Sequence, residues 1–440
     1  MPPRLPALLA EPAPPPGRLW IAGARLVDGS GAPARDGAAV LVEGGRIAAV
    51  GSSGDGVPEG AAVVDAGGRT LLPGLVDAHA HVYPELPRPR QGEEPLSPSA
   101  AGHFLARELR EALRMGWTTL RDVGSYGDQV FDARQAMRHG AFAGPRLLTC
   151  GRILSATSPG GRFFAGMYEE VDGPDAVRRG VRAQLRRGAD YVKLMTTGAR
   201  SVELEDPEPA QLTREEVRAA VEEAHRLGYR VAAHAEGLAG TEIAIEEGAD
   251  TIEHGMYLHR RPDLLERMAE QGQTLVPTLS CFYGVAGLGD AVDPDASEPG
   301  SGSPGADEWS GLLVDLALHN LAEAGRTLRA ARAAGVRLAL GHDWKPLAGA
   351  AIELVRMVHH GLTAPEALAA ATSAAADAVG LGEQVGRVRP GLLADLLVVD
   401  GDPLADPGLL LRRERIWLVL RGGAPAAGAA LEVDLRGGAP

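Results

Sequence analysis

The spacing of apolar residues changes twice along the chain. Over residues 19–72, and again near the other end, apolar residues alternate with polar ones or form short runs between glycine-containing turns. This spacing is typical of β-strands. We therefore expect residues 17–72 and 382–440 to form one small β-sandwich domain built from both chain termini, after a proline-rich arm at residues 1–16.

The middle of the chain, residues 73–381, alternates strand-like apolar runs with amphipathic stretches of helical period. Residues 213–227 show a clear helical signal, because Thr213 is followed three positions later by Glu216. Eight strand–helix alternations predict an α/β fold, a (β/α)8 TIM barrel, although alternation alone also fits a doubly wound open sheet. The predicted barrel strands are residues 74–81, 118–123, 146–150, 191–195, 230–234, 251–254, 274–279 and 336–343.

One segment, residues 284–307, interrupts this alternation and is rich in Gly, Pro, Asp and Ser. It follows the seventh predicted strand, so in a barrel it would lie on the face that carries active sites. Its composition favours a disordered insertion, because such segments bury little apolar surface. A lid over a site is the alternative.

Charge and cysteine content narrow the class of protein. The chain has 58 acidic and 44 basic residues, a net charge of −14, and no block of basic residues, which argues against a nucleic-acid partner. Two cysteines are too few for a disulfide framework. With neither a secretory signal nor a long apolar run in the sequence, we expect a cytoplasmic protein without a membrane partner. A small-molecule or dipeptide substrate suits this balance, and a homo-oligomer stays open.

Six residues with metal-binding chemistry lie in or at the carboxyl ends of predicted barrel strands. Residues at i and i+2 of a strand share a face, so His79 and His81 can reach one ion. Lys193 lies in an apolar strand, where a charged amine is costly. Catalytic groups of barrels lie at this face. The six residues are His79, His81, Lys193, His234, His254 and Asp343.

Nearly the whole chain resembles the metal-dependent amidohydrolase superfamily, and within it the imidazolonepropionase-like and Xaa-Pro dipeptidase-like group. The resemblance is carried by the stretches ARLVDGSG, LLPGLVDAHAHV, TTLRDVG, GPRLLTCG, YVKLMTTG, VAAHAEG, TIEHG, PTLS and PGLLADLLVVDGDP.

The resemblance implies two divalent metal ions. His79, His81 and Asp343 would bind the more buried ion, and His234 and His254 the second. Lys193, carboxylated by CO2 to a carbamate, would bridge both ions. Imidazole and oxygen ligands suit zinc best among the common ions, while manganese, cobalt or iron stay open.

The same resemblance implies hydrolysis of an amide-type C–N bond in a dipeptide, an N-acyl amino acid or a cyclic amide. A metal-bridging hydroxide would attack the carbonyl, with Asp343 as the catalytic acid and base. An ester, lactone or phosphotriester could be attacked at the same site. A mononuclear deaminase or imidazolone-ring hydrolase is disfavoured, because position 237 is Gly where such enzymes usually carry Glu. A non-catalytic scaffold is disfavoured because all six ligands are present.

Three further residues are candidate substrate contacts. Glu236 follows His234 by two positions, and we expect it to contact a cationic group or to be a solvated rim charge. Arg162 could bind a carboxylate, although a surface role is favoured. His342 should point away from the ions if Asp343 points towards them, and support of the site is favoured. With only 18 aromatic residues in the chain, we expect polar groups rather than rings to line the pocket.

Overall fold

Strands and helices alternate through the middle of the chain in a computed structural model that describes residues 17–84, 97–294 and 310–430. The strands are β1 (Arg18–Leu26), β2 (Arg35–Glu43), β3 (Arg46–Ser52), β4 (Ala61–Asp65), β5 (Thr70–Pro73), β6 (Leu75–Ala80), β7 (Trp117–Asp122), β8 (Arg146–Thr149), β9 (Ile153–Ser155), β10 (Tyr168–Glu170), β11 (Val192–Met195), β12 (Val231–Ala235), β13 (Thr251–His254), β14 (Thr274–Val276), β15 (Arg337–Leu338), β16 (Leu396–Val399), β17 (Ile416–Arg421) and β18 (Ala424–Ala427).

The helices are α1 (Pro98–Arg114), α2 (Gln129–Arg138), α3 (Pro159–Phe163), α4 (Pro174–Arg187), α5 (Arg214–Arg226), α6 (Leu238–Glu246), α7 (Pro262–Gln271), α8 (Leu279–Val285), α9 (Gly311–Ala333), α10 (Ala351–His359), α11 (Ala364–Ala370) and α12 (Ser373–Ala378). The predicted helix over residues 213–227 is confirmed as α5. The Thr213 hydroxyl accepts from the backbone N–H of Glu216, whose carboxylate accepts from the backbone N–H of Thr213 at 2.7 Å.

Strands from both ends of the chain form one eight-stranded sheet. Its order is β18-β17-β16-β5-β1-β2-β3, with β4 paired to β1. The two ends meet at β5, which is parallel to β1 and antiparallel to β16. The expectation that both ends share one β unit is confirmed, whereas its description as a sandwich and its boundaries stay predictions. The arm at residues 1–16 lies outside the described residues.

Two parallel sheets contain all eight strands that the sequence predicts for the middle of the chain. One has the order β6-β7-β8, and the other has the order β10-β9-β11-β12-β13-β14-β15. A few backbone hydrogen bonds connect the two sheets, from Ala78 N to Leu340 O at 2.9 Å, from Asp343 N to His79 O at 2.8 Å and from Asp190 N to Thr149 O at 2.7 Å. The fold is therefore α/β with parallel sheets, and a barrel closed by one continuous ladder stays a prediction.

The structure corrects the extent of the last barrel strand and adds two strands. The predicted strand at residues 336–343 pairs only over Arg337–Leu338, and Asp343 has a φ of 48°, which no strand residue adopts. The added strands, β9 and β10, have three residues each. Elements this short leave little periodicity for a sequence to display.

The interrupting segment packs against other parts of the chain where the structure describes it. Residues 284–285 belong to α8, and Ala286 and Leu288 are buried. Arg356 donates to the carbonyl oxygens of Gly289 at 2.5 Å and Ala291 at 2.9 Å. Residues 284–294 therefore contact the rest of the chain, residues 295–307 lie outside the described part, and whether the segment is a disordered insertion or a lid stays a prediction. Among the described helices, none is both long and apolar enough to cross a membrane.

Candidate metal centre

The end of β6 directs two imidazoles at one carboxylate. The Nε2 atoms of His79 and His81 lie 3.4 Å and 3.2 Å from Oδ1 of Asp343. On the far side of each ring, His79 Nδ1 lies 2.7 Å from Glu253 Oε2 and His81 Nδ1 lies 2.7 Å from Gly124 O. Because both of these oxygens accept, each Nδ1 is the donor on that side of its ring, and each Nε2 faces Asp343, where a metal ion would take the place of the contact.

The ends of β12 and β13 add two more imidazoles. The ring centroids of His234 and His254 are 4.5 Å apart, and those of His79 and His254 are 5.2 Å apart. Burial, with the nearby Lys193 charge, lowers the pKa of His234 to about 3. Burial also holds the pKa of His254 well below its ordinary value. Both rings are therefore neutral at pH 7, which is the form that binds metal.

Asp343 is held under the imidazoles by an unusual backbone. Its φ of 48° lies in the left-handed region, as does the φ of 66° at His254. Residues other than glycine rarely adopt this region, and those that do cluster at functional sites. Although burial opposes ionisation, His79 and His81 hold the pKa of Asp343 well below its ordinary value. The group is therefore a carboxylate and can accept a proton.

Lys193 is a buried amine in the same cavity. It lies in β11, next to β12, and only 2% of the residue is exposed. Among the described residues, its Nζ has no hydrogen-bond partner. Burial lowers the pKa of Lys193 from its ordinary value of 10.5. A neutral amine is the form that can add CO2, so its environment fits the expected carbamate.

Two residues that were not predicted from the sequence, Glu253 and Arg121, hold His79 in place. The Glu253 carboxylate accepts from His79 and also from Arg121 Nη2 at 2.7 Å. Burial opposes ionisation, but Arg121 and Lys193 lower the pKa of Glu253 below its ordinary value. The sequence did contain a signal for this pair: Arg121 and Glu253 are charged residues within the apolar strands TTLRD and TIEH, and a charge is seldom buried without a partner.

The six predicted ligands converge on one cavity of about 570 Å³. Within it, the ligand atoms of two sets of three residues lie within 4.8 Å of one another. The first set is His79, His254 and Asp343, and the second is His234, Glu236 and His254. Imidazoles and carboxylates at this spacing, with the unpartnered Lys193 amine beside them, fit divalent metal ions.

Aromatic side chains form part of the cavity lining. It includes Tyr83, Phe164, Tyr168, Phe282 and Trp344. The expectation of a pocket with few rings is therefore wrong. The chain has few aromatic residues, but segments that are distant in sequence, among them β10 and α8, bring five of them to this site.

The three candidate substrate contacts are placed differently. Glu236 and His342 are buried and line the cavity, whereas Arg162 is exposed in α3 and does not line it. Glu236 Oε2 accepts from Arg200 N at 2.7 Å, and burial raises the pKa of Glu236 to about 7. His342 Nδ1 has no hydrogen-bond partner among the described residues, and burial lowers the pKa of His342 to about 3.

Comparison with known proteins identifies relatives of the whole chain. The amidohydrolase family model matches residues 70–425. Ochratoxinase from Aspergillus niger is 32% identical over 426 residues, which cover 90% of this chain and 84% of that protein. Imidazolonepropionase from Paracoccus denitrificans is 27% identical, with coverage of 82% and 87%. The crystal structure of a Xaa-Pro dipeptidase with bound methionine is 27% identical and matches with a TM-score of 0.79, covering 93% of this chain and 100% of that one.

Proposed function

The chain belongs to the amidohydrolase family, and from this membership we propose that it is a metal-dependent hydrolase that cleaves an amide-type C–N bond. The observation that carries the proposal is the convergence of four imidazoles, the Asp343 carboxylate and the unpartnered Lys193 amine on one cavity. This donor set suits divalent ions, and the family makes an amide bond the first expectation for the substrate.

Six residues would hold two divalent ions, and zinc is the metal that we propose. His79, His81 and Asp343 would hold one ion, His234 and His254 would hold the other, and Lys193 as a carbamate would bridge them. Bound there, the ions would supply an activated water and polarise the scissile carbonyl. Glu253 and Gly124 fix the free nitrogens of His79 and His81 towards the ion by accepting from the opposite nitrogens.

Asp343 is the proposed catalytic acid and base. Its lowered pKa keeps the group ionised, and we propose that this oxygen receives the proton of the attacking water and, being a weak base, releases it readily. The Asp343 side chain is 14% exposed, in a cavity large enough for a substrate. The proton can therefore be passed to the departing amine. His342 and Glu236 line the same cavity and are proposed substrate contacts.

The cavity favours substrates with a large apolar group. Five aromatic side chains line the cavity, and burial against such rings favours binding of an apolar group by about 25 cal/mol per Å². N-acyl amino acids, dipeptides and cyclic amides that carry a bulky side chain are the proposed classes. The name of one relative, a Xaa-Pro dipeptidase, agrees with a dipeptide.

The test combines metal counting with hydrolysis. The chain is refolded with zinc or manganese, with and without bicarbonate, and then screened on N-acyl amino acids, dipeptides, cyclic imides and aryl esters. We expect two ions per chain with bicarbonate and fastest turnover of an amide. His79→Ala should lower activity at least about 100-fold, because partners of metal ligands already contribute about 10–100-fold. The control is His103→Ala, which alters an exposed histidine of α1. One ion under both conditions would refute the binuclear site.

A further inference from the structure

The position of Trp344 in the cavity lining depends on a glycine behind it. Trp344 follows Asp343, lines the cavity and is only partly buried, so part of its surface is open to a ligand. Gly284 is a buried residue of α8. A Cβ atom built at Gly284 would lie 2.2 Å from Trp344 Cε2 and 2.4 Å from Trp344 Cζ2. The indole therefore occupies the space that a side chain at position 284 would need.

The backbone on either side of Trp344 is anchored to other elements. Asp343 N donates to His79 O at 2.8 Å, and Lys345 Nζ lies 3.0 Å from Glu108 Oε2 in α1. A methyl group behind the indole would therefore move the ring rather than the backbone. The ring would have to shift by about 1 Å to restore ordinary contact, and the cavity is the open space that it borders.

Trp344 lies beside the proposed catalytic acid and base. Consecutive Cα atoms are about 3.8 Å apart, so the residue after Asp343 is close to the reacting groups. Asp343 is proposed to pass its proton to the departing amine, which places the amine half of the substrate on this side of the cavity. A side chain that narrows the cavity here would therefore exclude large groups on the amine half and leave the acyl half unaffected.

We propose that Trp344, backed by Gly284, sets the largest apolar group that the cavity accepts on the amine half of the substrate. This inference rests on the proposed hydrolase function and adds the pair of residues that limits substrate size. A side chain at position 284 would push the indole into the cavity and lower the limit, whereas a smaller residue at position 344 would raise it. One methylene group in an apolar pocket changes discrimination by about 10–200-fold, so a single methyl group behind the indole has a measurable effect.

The test varies the amine half of N-acetyl amino acids from alanine through leucine and phenylalanine to naphthylalanine, on the metal-loaded protein. In Gly284→Ala, kcat/KM for the phenylalanine substrate relative to the alanine substrate should fall about 10–200-fold. Trp344→Leu should raise the relative value for naphthylalanine, and combined with Gly284→Ala it should restore most of the loss. A second series, in which only the acyl group on alanine grows, should keep its wild-type ranking in every variant.

Gly74→Ala is the matched control. A Cβ atom at Gly74 would lie 2.3 Å from Thr118 Oγ1, which is as tight as the approach at Gly284. Gly74 and Thr118 lie at the amino ends of β6 and β7, and neither lines the cavity. Gly74→Ala should therefore lower the free energy of unfolding in urea and keep the wild-type ranking of both substrate series.

Ketomethylene analogues, in which a methylene group replaces the amide nitrogen, separate this inference from the hydrolase proposal because their binding needs no turnover. Calorimetry should show the same size limits in Kd. An unchanged ranking in Gly284→Ala, or a Trp344→Leu variant that gains nothing with naphthylalanine, would overturn the size limit and leave the hydrolase intact. Trp344→Leu decides the question alone if Gly284→Ala does not fold. A wild type that binds the analogues in the expected order but hydrolyses no amide would refute only the hydrolase, and one that neither binds nor hydrolyses would refute both.

Discussion

At the scale of single residues, substitution of Glu253 tests how the candidate metal ligand His79 is held in place. It accepts from His79 Nδ1 at 2.7 Å and from Arg121 Nη2 at 2.7 Å. A carboxylate in this position fixes the ring and raises its basicity as a ligand. Glu253→Gln should therefore weaken metal binding about 10–100-fold, measured by competition with a chelator of known affinity.

A second buried carboxylate separates this effect from lost stability. Glu323 is 3% exposed and accepts from Arg260 Nη2 at 2.6 Å, but it does not line the cavity. Glu323→Gln should lower the free energy of unfolding without changing metal affinity. If Glu253→Gln also keeps wild-type metal affinity, the support that we assign to Glu253 is wrong.

Single residues also mark where sequence interpretation stopped. The histidines were recognisable because each lies at a strand end beside turn residues. The partnership of Glu253 with Arg121 was not, because it joins β13 to β7 across 132 positions of sequence. Among the described residues, Arg200 Nε and Asn320 Nδ2 have no acceptor. The sequence could not predict this either, because packing decides whether a donor has an acceptor.

At the scale of elements, Gly341 allows the chain after β15 to pass close to β6. A Cβ atom built at Gly341 would lie 2.5 Å from His79 Cβ and 2.4 Å from Val276 Cγ1, closer than real contacts allow. Gly341→Ala should push the two segments apart, lower the free energy of unfolding by about 1–3 kcal/mol and reduce the number of bound ions. Urea denaturation and metal counting measure the two effects.

Gly102→Ala is the control within a helix. A Cβ atom at Gly102, in α1, meets nothing within 4 Å, so this substitution should be neutral or stabilise by up to about 1 kcal/mol. A Gly341→Ala variant with wild-type stability and full metal content would contradict the close packing described for this crossing.

The elements themselves were largely predictable. All eight strands predicted for the middle of the chain begin within a residue or so of their predicted starts, because each is a run of apolar residues bounded by turn signals. The last predicted strand was too long, since its final residues lie in β-like sequence but Asp343 turns the backbone into the left-handed region. The contacts of residues 284–294 were not predicted, because they include hydrogen bonds from Arg356, which is far away in sequence.

At the scale of the whole molecule, the aromatic lining of the cavity could not be predicted from composition. Its rings come from positions between Tyr83 and Trp344, so their meeting depends on the complete fold. The joining of the two chain ends was predictable, because both ends carry the same strand spacing. The contacts that attach the resulting sheet to the parallel sheets were not.

One buried ion pair contributes to this attachment, and it lies away from the candidate ligands. Arg146 begins β8, and its Nη1 lies 2.6 Å from Oδ2 of Asp395, just before β16. Both side chains are at most 1% exposed. The other Asp395 oxygen accepts from Gly422 N at 2.7 Å. Asp395→Asn removes the negative charge that Arg146 faces and should lower the free energy of unfolding by about 3–5 kcal/mol, measured by urea denaturation.

Asp400→Asn is the matched control, because Asp400 and Arg415 form an ion pair at 3.0 Å whose side chains are 50% and 41% exposed. Exposed pairs contribute about 0.2–1 kcal/mol, so the control should lose far less stability than Asp395→Asn. Metal content under native conditions should stay unchanged in both variants, since Arg146 lies at the amino end of β8 and the ligands lie at carboxyl ends of strands. Equal losses in the two variants would mean that the buried pair adds no more to stability than a surface contact.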